Sequence, residues 1–244
     1  MPKKLLTTIG ILLLVGIGIT GVVTFRQRHE NKELIPPTPV PANEVSTEEK
    51  NLKKSFDKKK YSTDSPDSIW VVVNKKRPLS PTSYAPADLV FVGNNQQLRK
   101  EAAEALSKML SEAKKANLTI QPLSGYRSYA TQVQVYNNEV DAYGQAVADT
   151  ESARPGYSEH QTGLAIDVGG GGCGIEDCFG NTNEGKWVAE NAYKYGYIVR
   201  YTEPKQAITG YRAEPWHIRY VGSELSMELH DNNIATLEEF FNLL

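Results

Sequence analysis

Two short segments constrain this chain more than any other feature. They are Ser158-Glu159-His160-Gln161-Thr162-Gly163-Leu164-Ala165-Ile166-Asp167 and Glu214-Pro215-Trp216-His217. Together they supply two imidazoles, His160 and His217, and one carboxylate able to ligate a metal, Asp167. A second carboxylate, Glu214, lies three residues before the last imidazole. Three N/O ligands leave one position of a tetrahedral zinc site open, as a catalytic zinc requires for its water. The spare carboxylate is then placed to take that water's proton. Other readings of the same residues stand beside this one. Asp167 before the glycine run 169–172 also fits a turn former, and Glu-Pro-Trp-His is short enough to arise by chance. A structural zinc site would want four protein ligands, and these segments offer three. His29 and His230 read as ordinary histidines outside any site.

The local patterns around these segments predict a mixed fold. Ile69-Trp70-Val71-Val72-Val73 is a β-branched apolar run and reads as a strand. From Gln96 to Asn117 a helical period places Leu98, Ala102, Ala105, Leu106, Met109, Leu110 and Ala113 on one face. Leu118-Thr119-Ile120 reads as a strand ending at Ser124-Gly125. Tyr129 to Tyr143 is a second amphipathic helix with Val133, Tyr136 and Val140 inward. Leu164 to Val168 is a core strand with Asp167 at its end, and Lys186 to Tyr195 a third helix. Residues 197–201 and 216–221 alternate as strands do. In the second of these, His217, Arg219 and Val221 share a face. Glu214 precedes Pro215, which places it in extended backbone just outside the ladder. Short helices at 224–230 and 237–243 close the chain. Strands and helices without a regular βαβ rhythm predict an α+β fold, a small antiparallel sheet with flanking helices.

The N-terminus predicts a different environment. Leu5 to Phe25 is an uncharged run of 21 residues, with Lys3 and Lys4 before it and Arg26 and Arg28 after it. A helix of that length spans about 30 Å, enough to cross a bilayer core. Residues 1–4 are then a cytoplasmic tip, 5–25 an uncleaved anchor, with a cleaved signal peptide as the alternative, and 26–64 a tether. Pro36, Pro37, Pro39 and Pro41 stiffen the tether, and charge dominates from Glu44 to Lys60. The folded domain is expected over 65–244. A net charge of −2 with mixed signs gives no basic stripe, so nucleic acid is not an expected partner. The only two cysteines, Cys173 and Cys178, sit in the glycine-rich loop. A disulfide there suits an oxidising compartment, with two free thiols as the alternative. An outward-facing domain follows, and a monomer is expected.

Three blocks now line up in order: Ser124-Gly125-Tyr126-Arg127-Ser128, then Pro155-Gly156-Tyr157 running into the first segment, then Glu214-Pro215-Trp216-His217. They resemble the VanY-type zinc D-alanyl-D-alanine carboxypeptidases and the related L,D-carboxypeptidases of bacterial cell walls, over roughly residues 65–244. The resemblance implies the α+β zinc-peptidase fold shared with the Hedgehog signalling domain. It implies Zn2+ held by His160, Asp167 and His217, with Glu214 as the base. It further implies substrate contacts from Arg127, Gln132 and Ser158, with Tyr201 a weaker candidate. An Arg fork suits a free terminal carboxylate. The expected partner is a peptidoglycan stem peptide ending in D-Ala, at the outer face of the cell membrane. The competing readings are a non-catalytic zinc module that binds wall peptide, and a stem-peptide endopeptidase or dipeptidase. Arg154, Arg212 and Arg219 carry no motif and read as surface or supporting residues.

Overall fold

The computed structural model describes residues 55–243. The expected anchor over 5–25 and the tether as far as residue 54 lie outside the described residues. Among the described residues no helix is long and apolar enough to cross a membrane.

The architecture is α+β. A hairpin of β1 (Leu89–Val92) and β2 (Gln96–Arg99) leads into α1 (Lys100–Lys115). Then come β3 (Gln121–Ser124), α2 (Tyr129–Tyr143), α3 (Gln145–Glu151) and β4 (Ala165–Gly169). The chain continues through α4 (Asn183–Asn191), β5 (Tyr197–Tyr201), α5 (Gln206–Thr209) and β6 (Glu214–Tyr220). It closes with α6 (Ser223–Asp231) and α7 (Leu237–Phe241). The main sheet has four antiparallel strands in the order β3-β4-β6-β5.

The core lies between this sheet and α1. Leu106 and Met109 of α1 join Leu164, Ile166, Val168 and Ile218 in one buried cluster. Burying each such side chain contributes roughly 1.5–3 kcal/mol relative to exposure. The predicted apolar face of α1 holds, but the helix starts later than expected. Residues 96–99 are recruited into the hairpin, where Leu98 pairs with Val90. Tertiary pairing here overrides a continuous helical period. The strand expected at 118–120 begins instead at Gln121, after the α1 C-terminal turn ties Leu118 N–H to the Ala113 carbonyl.

A second cluster joins Trp70, Val72, Val221, Leu225, Leu229, Leu237 and Phe240. Phe56 stacks on Trp70 with ring centroids 5.3 Å apart, and Tyr61 meets the same indole edge-on at 4.9 Å. The folded unit therefore extends upstream of Ser65, into residues read as tether. Residues Trp70 to Val73 are buried and Ile69 is half-buried, yet the run is not a strand as expected. Side chains take the place of a ladder. Arg219 Nη2 donates to the carbonyls of Ile69 and Val71, and Trp70 Nε1 donates to the Val221 carbonyl. Buried backbone acceptors need partners, and here a guanidinium supplies them.

Candidate active site

The centre of the sheet sets the site. In the β4–β6 pair, Asp167 lies directly opposite His217. On the other side of β4, Ser124 of β3 pairs with Asp167, and on the other side of β6, Tyr201 of β5 pairs with Glu214. Glu214 is thus the first residue of β6 rather than outside the ladder as expected. The register irregularity between Val199 and Tyr201 accommodates it, and Pro215 can stand next to it at a strand start.

His160 arrives from a 3₁₀ turn, Glu159–Thr162, ended by Gly163 at φ 67°. That left-handed conformation disfavours a side chain, and the Gly163 carbonyl accepts from Arg99 N–H at 2.8 Å. The turn is thereby tied to the end of the hairpin. His160 Nδ1 lies 2.9 Å from the Gly125 carbonyl. This assigns the proton to Nδ1 and leaves Nε2 free to ligate. Gly125 can only be glycine here, because an added Cβ would stand 2.5 Å from the Gln97 carbonyl oxygen.

His160, Asp167 and His217 each offer one ligand atom, all within 4.8 Å of one another, and all three residues are buried. His160 Nε2 is 3.3 Å from Asp167 Oδ2, and His217 Nδ1 is 3.1 Å from Asp167 Oδ1. The imidazole planes cross at 88°. Asp167 Oδ1 is buried without a hydrogen-bond partner, so His217 Nδ1 is near it but out of line. The charges agree with this geometry. Burial pulls the His217 imidazole down, but the carboxylates of Asp167 and Glu159 win and push it up to about 10. Burial works against ionisation of Asp167 too, yet the two histidines hold its carboxyl well below the usual range. Three converging ligand atoms, an orphaned carboxylate oxygen and a local demand for positive charge fit a divalent cation.

Around this cluster lies a polar cavity of about 330 Å³. Glu214 lines it, with Oε2 3.8 Å from His217 Nδ1. Burial pushes the Glu214 carboxyl up to about 7, against the pull of His217. Arg127, Ser158 and Tyr201 also line the cavity. Arg127 donates from Nη1 to Gln132 Oε1 and from Nη2 to Ser124 Oγ, each at 3.0 Å. Tyr201 packs its ring 4.9 Å from that of His217. Gln132 is placed otherwise than expected. It is fully buried behind Arg127, its Nε2 donating to the Ala153 carbonyl at 2.8 Å. It orients the guanidinium rather than facing the cavity.

Three features were not legible in the sequence. Cys173 and Cys178 form a disulfide, as expected, but the loop it closes reaches the site: Ile175 lines the cavity. Next, Arg212 pairs with Glu151 at 3.2 Å and with Asp177 at 2.6 Å, linking the end of α3 to that loop beside the cavity. Finally, Glu159 is buried with Arg200, Arg219 and Glu238 in one ionic network that also touches His217. Arg219, read as a surface or supporting residue, is fully buried. A usable signal existed: arginines in the middle of two alternating strands need a buried acid when they face a core.

The disulfide carries a prediction. Replacing both cysteines with Ser frees the short loop that holds Ile175 and Asp177. Stability should fall by ~2 kcal/mol, the loop-closure value for a ring this small. KM for the substrate should rise several-fold while kcat changes little. Thermal melts and steady-state kinetics read the two effects. An unchanged KM removes the loop from the substrate wall.

Fold and site together define an α+β domain whose cleft carries a candidate divalent-metal centre. Comparison with known proteins narrows this. The family model described as VanY, D-alanyl-D-alanine carboxypeptidase, matches residues 95–223. The chain is 45% identical over 187 residues to YodJ of Bacillus subtilis (strain 168), named a carboxypeptidase by inference. That match covers 72% of this chain and 68% of YodJ. Among solved structures, the LdcB LD-carboxypeptidase superposes with a TM-score of 0.68 at 45% identity, covering 72% of this chain and 87% of that one. A vancomycin resistance D,D-pentapeptidase VanY variant in complex with Zn(II) gives 0.61 at 31% identity, covering 70% and 97%. The chain belongs to the VanY family of D-alanyl-D-alanine carboxypeptidases.

Proposed function

We propose that this chain is a zinc-dependent carboxypeptidase that removes the C-terminal D-alanine from peptidoglycan stem peptides, by D,D or L,D cleavage. The observation that carries the reading is one cleft lined by His160, Asp167 and His217 together with Glu214 and the guanidinium of Arg127. The Zn(II) complex of a VanY relative supports the choice of metal.

His160 Nε2, Asp167 and His217 Nδ1 would hold the ion, which when bound lowers the pKa of a water towards about 7 and polarises the scissile carbonyl. Glu214 accepts the attacking water's proton and returns it to the nitrogen of the departing D-alanine. Its buried position makes it a better base than an exposed carboxylate. Arg127 receives the terminal carboxylate. Gln132 and Ser124 each take one of its N–H groups and so set the plane of the fork, leaving others for a bidentate grip. With the carboxylate held there, only the last peptide bond reaches Glu214. Ser158 and Tyr201 supply polar and aromatic wall. The apolar run over 5–25 would anchor the enzyme in the cell membrane, with residues 26 onward carrying the peptidase towards the wall.

The test is mass spectrometry of defined pentapeptide and tetrapeptide stems after incubation with the zinc-loaded chain, with and without chelator. The expected result is loss of one D-alanine, abolished by chelation and restored by zinc. Intact stems under zinc-replete conditions would sink the catalytic reading, and release of a dipeptide would shift the cut by one bond.

A further inference from the structure

We infer that Glu159 is a positioning residue for the metal site, its Oε2 holding the Nε2 side of the His217 ring so that Nδ1 is the nitrogen offered to the metal beside Asp167. The inference rests on the metal reading proposed above and adds a residue that neither the motif chemistry nor the family resemblance assigns.

Both ring nitrogens of His217 face carboxylates. Nδ1 is 3.1 Å from Asp167 Oδ1, within the ligand cluster, while Nε2 is 3.3 Å from Glu159 Oε2. A neutral imidazole has one donor and one acceptor. If Nδ1 ligates, the proton belongs on Nε2, and Glu159 is there to receive it. For His160 a backbone carbonyl does the same task from Gly125. His217 instead has a carboxylate partner, which fixes the ring and raises its basicity as a ligand.

Glu159 is itself locked in place. Its Oε1 accepts from Arg200 Nε and Arg219 Nη1, both at 2.8 Å, which leaves Oε2 for the histidine. On its other edge Arg200 is gripped by Glu238 at 2.9 and 2.6 Å, and Asn74 donates to the same Glu238. Arg219 also donates to the carbonyls of Ile69, Val71 and Tyr220. Two guanidiniums balance two carboxylates within the buried network. Such a network is costly to desolvate and gains little stability over apolar packing. Its physical yield is the fixed position of one carboxylate oxygen.

The decisive variant is Glu159→Gln. The arginines require an acceptor, so they hold the amide oxygen and turn the NH2 towards His217. Nε2 must then accept, which moves the imidazole proton to Nδ1, where the metal would bind. Zinc affinity, measured by competition with a chromophoric chelator, should fall 10- to 100-fold. Glu238→Gln is the control: it removes the same charge from the same network away from His217 and should leave the affinity within a few-fold of wild type. Wild-type affinity in Glu159→Gln, or equal losses in both variants, overturns the inference. A measurement on the unaltered chain guards against a variant that does not fold. Long-range nitrogen–proton correlation of the zinc-loaded protein should place the His217 proton on Nε2. Finding it on Nδ1 overturns the assignment. A wild-type chain that takes up no zinc overturns the metal reading itself, a result distinct from either of these.

Discussion

Glu214→Gln is expected to lower turnover by about 10²- to 10⁴-fold, the span over which a positioned general base contributes. Zinc stoichiometry should be unchanged, because Glu214 stands outside the His160–Asp167–His217 cluster. Gln keeps the shape and hydrogen-bonding reach of the side chain but cannot take a proton. The pH profile sharpens the test. Burial pushes Glu214 up to about 7, and a cation in the cluster pulls it lower, so the wild-type enzyme should lose activity as pH falls through that carboxyl's pKa. The residual activity of the variant should lack this limb. Stability moves the opposite way. A carboxyl raised in the folded state binds its proton more tightly there than in the unfolded chain. Folding stability of the metal-free protein therefore falls as pH rises from the unfolded value of about 4.5 through 7. Glu214→Gln removes that loss and should stabilise the metal-free chain at pH 8, by of order 1–3 kcal/mol. Near-normal turnover would mean that another group is the base.

Asp167→Asn should abolish stoichiometric zinc binding and reduce activity to background. Asp167 is the residue the two histidines share, with Oδ2 towards His160 and Oδ1 towards His217. An amide there loses the charge and presents NH2 to one of two nitrogens that must both be acceptors. The fold should survive, since the substitution preserves volume in a pocket where Oδ1 already has no hydrogen-bond partner. Zinc content after gel filtration, with circular dichroism as the check on folding, decides the matter. One equivalent of zinc retained at wild-type affinity would exclude Asp167 from the ligand set.

Much of this candidate site was readable in the sequence, because its candidate ligands lie in two compact segments and the proposed chemistry needs few residue types. The strand over 197–201 and the helix over 129–143 were also legible, since alternation and helical period are local signals. What failed to show had non-local causes. Ile69–Val73 has the composition of a strand, but the acceptors it needs are met by Arg219, about 150 residues away, and no local pattern carries that. Arg219 was put on the His217 face of its strand as a surface or supporting residue, and the structure gives it the supporting role. Its acid, Glu159, sits beside a metal-ligand candidate, where a charged residue reads as solvated motif filler. Gln132 illustrates a subtler limit. Sequence can nominate a hydrogen-bonding side chain near a substrate arginine, but only packing reveals whether it faces the cleft or braces the arginine from behind.

The register of β4 against β6 has a consequence for how the molecule matures and diverges. Asp167 meets His217 only when these two strands, distant in the chain, are aligned residue for residue. A slip of one residue would oppose Asp167 to Trp216 or Ile218 and send alternate side chains to the wrong face. The cluster is therefore complete only once this long-range pairing has formed. The same constraint partitions the gene. Insertions within either strand would break this register, while the disulfide-closed loop between β4 and α4 lies outside the paired strands.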